Sequence, residues 1–344
     1  MPAAKLDISA RQAAEARQAS LTKPVGALGR LEEAVIRLAA MQGTKSPRLD
    51  LLAIVIFAAD HGVASQGVSA FSQQVTAEMI KNFSRGGAAI NVLARELGAQ
   101  LEVINMGTVN ELEALAGVRH IPLGLGTANF CQQAAMDEPQ LAAALLTGKE
   151  SVERAKLAGI ELFIAGEMGI GNTTSAAALA CALLDELPEE LVGLGTGVDK
   201  PGWLHKVNIV REALARHRQK LGEPLEILRR LGGFEIAALT GSYIACAQMA
   251  MPVLVDGFIS SVAALIATRL CPGIEQWLLF SHTSAERGHR RVLEAMQARP
   301  FLDLGMRLGE GSGAAVTVPI LRMACALHNQ MARFDEVSVS EKIR

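Results

Sequence analysis

Short, continuously apolar runs alternate with longer segments of helical spacing along most of this chain. Residues 51–59 are apolar without interruption, which is the pattern of a strand buried on both faces of a parallel sheet. Similar runs that predict strands occupy residues 101–106, 160–165, 252–255 and 276–280. Apolar strands with helices between them predict an α/β fold, with a mostly parallel sheet flanked by helices.

Helical spacing accounts for much of the remaining chain. Residues 8–42 predict two helices separated near Pro24, residues 75–97 predict a helical segment with a break at Gly86 and Gly87, and residues 132–158 predict a long helix. Further helices are predicted up to residue 221 and at 316–327, whereas residues 110–129 are predicted to be irregular. Residues 236–255 carry no charge and could imitate a membrane span, but Pro252 within them favours a buried helix leading into a buried strand.

A glycine-rich turn joins the strand predicted at 160–165 to a helix of Ala and Leu predicted at 176–184. Three glycines at 166–171 would let backbone N–H groups approach a ligand, and the N-terminus of the following helix favours an anion such as phosphate. Asn172 or Thr173 is predicted to cap this helix. As a bare pattern the turn is equally typical of a tight connection, since it matches neither a P-loop nor a dinucleotide-binding motif.

Polar side chains follow directly after several of the predicted strands. They are Asp60, Glu167, Asp256 and Ser281. The carboxyl ends of parallel strands share one edge of the sheet, where ligands bind. A carboxylate repels phosphate, so Glu167 is expected to have another task beside the glycine turn. His61 and His282 could act as bases or ligands, although histidines at strand ends more often hold the following loop.

A second glycine-rich segment surrounds Glu310, just before the helix predicted at 316–327. A carboxylate near a helix N-terminus is electrostatically favourable, so Glu310 could be a simple cap. Capping does not require glycine on both sides, however, and such surroundings would leave space for a ligand beside the carboxylate. A third glycine-rich loop, at 193–202, precedes a helix on which Lys206 could reach a phosphate.

The composition argues against several kinds of partner and site. The chain has 344 residues, half of them hydrophobic, and a formal net charge of −2, so we expect no binding to nucleic acid. Its five cysteines are dispersed without a CxxC pair, which indicates reduced, buried thiols of a cytoplasmic protein. The N-terminal segment is polar and mixed in charge, unlike a signal peptide, and we expect no membrane anchor and no metal site.

Several motifs in combination identify the chain as a member of a known family. They lie at residues 23–32, 59–63, 75–76, 85–87, 166–174, 232–235, 254–258, 281–286 and 307–313. Over residues 21–331 the chain resembles the nicotinate-nucleotide–dimethylbenzimidazole phosphoribosyltransferases, which make the lower-ligand nucleotide of cobalamin.

The resemblance implies a Rossmann-like fold and a homodimer. Residues 46–300 would form a large α/β domain, and a small helical domain would combine residues 1–45 with residues 301–344, which also carry the catalytic loop. The implied reaction transfers the 5-phosphoribosyl group of nicotinate mononucleotide to 5,6-dimethylbenzimidazole with inversion at C1′. Its products are α-ribazole 5′-phosphate and nicotinate, and it uses no metal or organic cofactor.

The resemblance also assigns roles to individual residues. Glu310 would be the catalytic base and Glu167 a second essential carboxylate. The nucleotide phosphate would be held by Gly169, Ile170, Gly171, Asn172, Thr173 and Lys206. The base pocket would be lined by Phe71, Met79, Leu308 and Ser284. Phe71 and Met79 stand where some relatives carry polar residues, so we expect a more apolar pocket, and its preference among benzimidazoles, purines and phenols stays open.

Two other functions compete with this interpretation. A nucleotide-dependent dehydrogenase would need GxGxxG after the first strand, where this chain has Asp60, His61 and Gly62. A binding or scaffold subunit that had lost the chemistry would be expected to lack one of the glutamates or the phosphate turn, and all are present. Residues 332–344 are charged and receive no assignment.

Overall fold

The secondary structure comes from a computed structural model that describes residues 1–195 and 197–337; Thr196, in the glycine-rich loop at 193–202, and residues 338–344, in the unassigned tail, lie outside the described residues. The strands are β1 (Leu52–Ala59), β2 (Gln100–Gly107), β3 (Val118–His120), β4 (Leu162–Met168), β5 (Val253–Val255) and β6 (Leu278–Phe280). The helices are α1 (Ile8–Ser20), α2 (Arg30–Gln42), α3 (Gln74–Arg85), α4 (Ala89–Leu97), α5 (Glu138–Leu157), α6 (Asn172–Leu184), α7 (Pro188–Leu191), α8 (Lys200–His217), α9 (Pro224–Leu231), α10 (Phe234–Gln248), α11 (Phe258–Leu270), α12 (His289–Ala295) and α13 (Ser312–Gln330).

The strands form one parallel sheet in the order β3-β2-β1-β4-β5-β6. The predicted Rossmann-like sheet is therefore confirmed. All eight residues of β1 are buried, as its unbroken apolar pattern predicts. The strand order reverses direction between β1 and β4, which opens a crevice beyond their carboxyl ends. Glu167, opposite Phe57 in the β1–β4 register, lies at this crevice.

Helix α10 packs against α5, α11 and the central strands. Two glycines allow its close approach to α5, because a Cβ on Gly148 would overlap the carbonyl of Ala238 and one on Gly241 would overlap that of Leu145. The charge-free stretch at 236–255 is thus a buried helix followed by β5, as predicted. Among the described residues, no helix is long and apolar enough to cross a membrane.

The two ends of the chain pack together through α1, α2 and α13. The Arg17 guanidinium donates to the carbonyl oxygens of His328 at 2.6 Å and Asn329 at 2.9 Å, and Leu21 pairs with Arg333 in an antiparallel bridge. Helix α13 also packs on α4 and β4, which brings its N-terminus to the ligand-binding edge of the sheet. All five cysteines are buried and free, as predicted.

Three of the local differences between prediction and structure are instructive. Helix α5 begins at Glu138 and not near 132, because the Asp137 side chain accepts the N–H of Gln140 and caps it there. The segment predicted as irregular contains β3, a three-residue strand too short to show alternation. Helix α6 begins at Asn172 with Gly171 as its N-cap, so the prediction that Asn172 or Thr173 caps it is wrong.

Candidate active site

A cavity of about 290 Å³ lies at the carboxyl edge of the sheet, between the loops that follow β1, β4, β5 and β6. The predicted catalytic and phosphate residues on its walls are Glu167, Gly169, Ile170, Asn172 and Thr173. The predicted base-pocket residues on its walls are Phe71, Ser284 and Leu308. Among the described residues, Gly171, Lys206, Glu310 and Met79 lie off this lining.

The glycines of the turn after β4 are required by packing against the end of β1. A Cβ on Gly169 would overlap the carbonyl oxygen of Ala59, and one on Gly171 would lie 3.2 Å from the Cβ of His61. Gly171 also has φ +99°, a conformation that favours glycine. The turn thus holds its backbone against β1, and the N–H of Ile170 already donates to Thr76 Oγ1 at 3.1 Å.

Lys206 lies directly behind the turn. It is only 1% exposed, and its Nζ donates to Thr173 Oγ1 at 2.8 Å. Burial lowers the pKa of this ammonium to about 8. An ammonium has three donors, and Thr173, on the cavity wall, accepts one of them.

The loop before α8 is threaded closely past these groups. A Cβ on Gly195 would lie 2.7 Å from Thr173 Oγ1 and 2.9 Å from Lys206 Nζ, so a larger residue there would displace these groups. The guanidinium of Arg307, which also lines the cavity, donates to the carbonyl of Gly195 at 3.0 Å. Two cationic side chains therefore stand at the end of the cavity that Thr173 borders.

Glu167 is 5% exposed and carries a strongly perturbed carboxyl group. Burial raises its pKa well above the ordinary value, and the charges of Glu235, Asp256 and Glu310 raise it further. The side-chain amide of Asn172 donates to Glu167 Oε2 and opposes this shift. Asn172, the first residue of α6, thus orients the Glu167 carboxyl group.

Glu310 adopts a left-handed backbone with φ +61°, between Gly309 at +88° and Gly311 at +74°. This conformation is strained for a residue with a Cβ, and such strain clusters at functional sites. Its N–H donates to the carbonyl of Glu167 at 3.3 Å, which joins the two predicted catalytic residues through the backbone.

The carboxylate of Glu310 does not cap the helix that follows it. Its Oε2 accepts the N–H of Ile90 at 3.4 Å, in the first turn of α4, while α13 has Gly311 as its N-cap. Burial raises the pKa of Glu310, the charge of Asp256 adds to this, and the Ile90 N–H opposes it. A capping role toward α13 is thus excluded.

The glycines around Glu310 make room for protein groups. A Cβ on Gly309 would overlap Glu167 Oε1, one on Gly311 would lie 3.3 Å from Ile164, and one on Gly313 would overlap the ring of His282. Gly309 also lines the cavity, whereas Gly311 and Gly313 are absent from its lining. The three glycines allow the Glu310 segment to lie directly against β4.

Asp256 fixes the start of α13. Its Oδ1 accepts the N–H of Ala314 at 2.9 Å, and His282 Nδ1 lies 3.9 Å from the same oxygen and 3.1 Å from Ser281 Oγ. Burial raises the pKa of Asp256 and the neighbouring His282 lowers it. This carboxylate, which also lines the cavity, connects β5 to the segment that carries Glu310.

His61 forms a buried pair with Glu235, with 2.5 Å between Nε2 and Oε1. A Cβ on Gly169 would lie 3.4 Å from its Nε2, so the ring packs directly behind the phosphate turn. The structure therefore gives His61 the role of holding the loop, the commoner of the two roles considered for it.

A family model described as a phosphoribosyltransferase matches residues 3–339 of the chain. The chain belongs to this phosphoribosyltransferase family. It is 60% identical over 332 residues to the nicotinate-nucleotide–dimethylbenzimidazole phosphoribosyltransferase of Pseudomonas aeruginosa strain UCBPP-PA14, covering 96% of this chain and 94% of that protein. The enzyme of that name from Xanthomonas oryzae pv. oryzae strain PXO99A is 58% identical over 335 residues, covering 97% and 96%.

A crystal structure of nicotinate-nucleotide–dimethylbenzimidazole phosphoribosyltransferase from Thermus thermophilus has a similar fold. It superimposes with a TM-score of 0.92 at 43% identity and covers 98% of this chain and 100% of that one.

The residues predicted to line the base pocket lie in different surroundings in this phosphoribosyltransferase. Phe71 and Leu308 line the cavity and are 54% and 59% exposed. Met79 instead lies half-buried on α3, off the cavity lining, with its sulfur 4.0 Å from Asn82 Nδ2. Arg307 and Glu286 also line the cavity and were not predicted as site residues, although both lie within the family motifs.

Within residues 1–195 and 197–337, no group of three His, Cys, Asp or Glu side chains is arranged to hold a metal.

Proposed function

We propose that this phosphoribosyltransferase transfers the 5-phosphoribosyl group of nicotinate mononucleotide to 5,6-dimethylbenzimidazole, releasing α-ribazole 5′-phosphate and nicotinate. Relatives at 58% and 60% identity bear the name of this reaction over nearly their whole length, which supports the assignment. The observation that carries it is the backbone bond between Glu310 and Glu167, beside a cavity whose wall residue Thr173 accepts a hydrogen bond from the buried Lys206.

The proposed chemistry needs a proton acceptor more than an acid. The ring nitrogen of nicotinate in the nucleotide is already quaternary, so nicotinate leaves without being protonated. A benzimidazole nitrogen attacks C1′ from the opposite face and inverts it, and the other ring N–H becomes acidic as positive charge develops. A carboxylate beside that N–H accepts the proton and stabilises the charge.

Glu310 is proposed as that carboxylate. Its raised pKa makes it a stronger base than an ordinary glutamate. Its strained backbone supports a functional role. Glu167 has a pKa raised further by surrounding carboxylates, and we propose that its carboxyl group contacts the ribose or the base as a hydrogen-bonding partner.

The phosphate of the nucleotide is proposed to bind at the Thr173 end of the cavity. Gly169, Ile170, Gly171, Asn172 and Thr173 would form its cradle with Lys206. The burial of Lys206 supports this, because a buried ammonium with donors to spare is stabilised by an anion. The N-terminus of α6 favours the same charge.

The base is proposed to lie against Phe71, Leu308 and Ser284. Exposed apolar side chains on a cavity wall suit a flat apolar ring, so 5,6-dimethylbenzimidazole should be preferred over adenine. The position of Met79 gives no support to its place in this pocket.

We also propose that the enzyme is a cytoplasmic homodimer, with a small helical domain of residues 1–45 and 301–344 beside a large domain of residues 46–300. The packing of α13 on α2 supports the pairing of the chain ends. Exposed apolar residues on α4 and α13, among them Val92 at 46% and Met323 at 56%, support a partner surface.

One incubation tests the proposed reaction. Purified enzyme would be given nicotinate mononucleotide with 5,6-dimethylbenzimidazole or adenine, and products would be identified by mass spectrometry and their C1′ configuration by NMR. We expect the α-nucleotide of dimethylbenzimidazole as the main product. A folded enzyme that forms no nucleotide, or a product of β configuration, would contradict the proposal.

A further inference from the structure

Glu286 is a carboxylate on the cavity wall to which the reaction described above gives no task. It follows β6, lines the cavity and is 8% exposed. Its Oε2 is buried and has no hydrogen-bond partner among the described residues. Glu167 and Glu310, by contrast, each accept a bond, from Asn172 and Ile90.

Glu286 is held in place by its neighbours. Its backbone N–H donates to Ser284 Oγ at 3.2 Å, and Ser284 lines the same cavity. A Cβ on Gly193 would overlap Oε2, so the glycine-rich loop packs directly on this carboxylate. A side chain at position 193 would therefore displace the Glu286 carboxylate.

The same loop relates Glu286 to the proposed phosphate subsite. Gly193 touches the carboxylate, and Gly195, two residues further, touches Thr173 and Lys206. Two residues span at most about 7 Å, so the carboxylate lies within the reach of one bound nucleotide. The negative charge of Glu286 also raises the pKa of Lys206 against the effect of burial, which is consistent with this proximity.

The chemistry of the substrate decides what such a carboxylate can bind. Ionised phosphate and the nicotinate carboxylate offer acceptors only and are repelled by a carboxylate. The ribose hydroxyls are the donors that nicotinate mononucleotide supplies. The acidic N–H of the incoming base is already matched with Glu310.

We propose that the carboxylate of Glu286 accepts a hydrogen bond from a ribose hydroxyl of the bound nucleotide and so orients C1′ for attack. This inference rests on the proposed function and names a further residue of the same site. A buried acceptor without a donor is unfavourable in the free enzyme, so the substrate hydroxyl gains the full value of a charge-assisted bond. Orientation of the ribose in turn aligns C1′ between the leaving and attacking nitrogens.

The test compares Glu286→Gln with the wild type on nicotinate mononucleotide and on its 2′-deoxy and 3′-deoxy forms. We expect the wild type to lose on the order of tenfold to a hundredfold in kcat/KM on one deoxy form. The variant should lose a similar factor on the parent nucleotide and discriminate little between the parent and that deoxy form, since the two changes remove one interaction. Glu190→Gln, at an exposed carboxylate that pairs with Arg287 outside the cavity, is the control and should behave as wild type.

Three results would overturn the inference. The first, which the wild type alone can show, is an equal kcat/KM on the parent nucleotide and on both deoxy forms. The second is a variant that keeps the wild-type discrimination. The third is a variant that loses activity equally on all three nucleotides and melts at a lower temperature, as a purely structural carboxylate would. A wild type that makes no product from nicotinate mononucleotide and dimethylbenzimidazole would contradict the proposed function instead.

Discussion

Replacing Lys206 by methionine should stabilise the free enzyme and weaken its binding of nucleotide. Lys206 is 1% exposed, and burial lowers its pKa from 10.5 to about 8. At about 1.4 kcal/mol per pKa unit, keeping this ammonium charged at pH 7 costs the folded state about 3 kcal/mol. Loss of the hydrogen bond to Thr173 destabilises the variant by about 1 kcal/mol. The free energy of unfolding of Lys206→Met should therefore be about 2 kcal/mol higher than that of the wild type.

The sign of the pH dependence distinguishes this from ordinary repacking. A lysine with a lowered pKa binds its proton more weakly in the folded than in the unfolded chain. The destabilisation of the folded state by the buried ammonium is therefore fully present below about pH 8 and disappears as the pH rises toward 10.5. The advantage of the variant should be a few degrees in melting temperature at pH 7, at roughly 2 °C per kcal/mol, and should shrink toward pH 10.

Nucleotide binding should change in the opposite direction. A charge-assisted bond to phosphate contributes roughly 1.5–3 kcal/mol, so calorimetric titration of Lys206→Met with nicotinate mononucleotide should show about 10- to 100-fold weaker binding. Lys220→Met, at an exposed lysine beyond α8, serves as the matched control and should change neither property. A variant that binds nucleotide as tightly as wild type, or that is less stable at pH 7, would refute the role given to Lys206.

Two further predictions concern Glu167 and Gly309. Because the pKa of Glu167 is raised in the folded state, the unfolded chain releases this proton at lower pH, and the wild type should lose stability as the pH rises above about 5. The melting temperature of Glu167→Gln should therefore rise relative to that of the wild type between pH 5 and pH 8. A difference in melting temperature that stays constant over this range would contradict the raised pKa. Gly309→Ala should lower kcat by about tenfold or more, because a Cβ would displace Glu167 Oε1 by a distance that matters for positioned groups. Gly305→Ala carries similar strain at φ +68° with nothing within 4 Å of its Cβ, and equal kcat losses in both variants would rule out displacement of Glu167.

Much of the sheet could be predicted because β1 and β4 are buried on both faces, and burial of that kind leaves an unbroken apolar run. The place of Glu167 was predictable for the same reason, since it stands where such a run ends. Strand β3 was missed because three residues at a sheet edge carry too little pattern. The N-cap of α6 was misplaced because Gly171, with φ +99°, takes the N-cap position, so that Asn172 already lies within the helix.

The surroundings of Glu310 could not be predicted from local sequence. Its carboxylate meets the N–H of Ile90, a residue 220 positions earlier in the chain, and only the packing of α13 on α4 brings them together. Gly309 and Gly313 pack against Glu167 and His282, which are also distant in sequence. Chemical reasoning identified Glu310 as a carboxylate of interest, and tertiary packing determines why its backbone is strained and its pKa is raised.

The central claim is that the Glu310 carboxylate accepts the proton of the incoming base, and Glu310→Gln tests it most directly. Glutamine keeps the size of the side chain and an oxygen for the Ile90 N–H, but it cannot take a proton. Steady-state rates and melting temperature should be measured on the same preparation across pH. We predict an unchanged or slightly raised melting temperature, near-normal KM and a kcat lower by about a hundredfold or more. The wild-type kcat should also fall as acid protonates Glu310 at its raised pKa, and the variant should lack this limb. A folded Glu310→Gln enzyme with near-normal kcat would contradict the account.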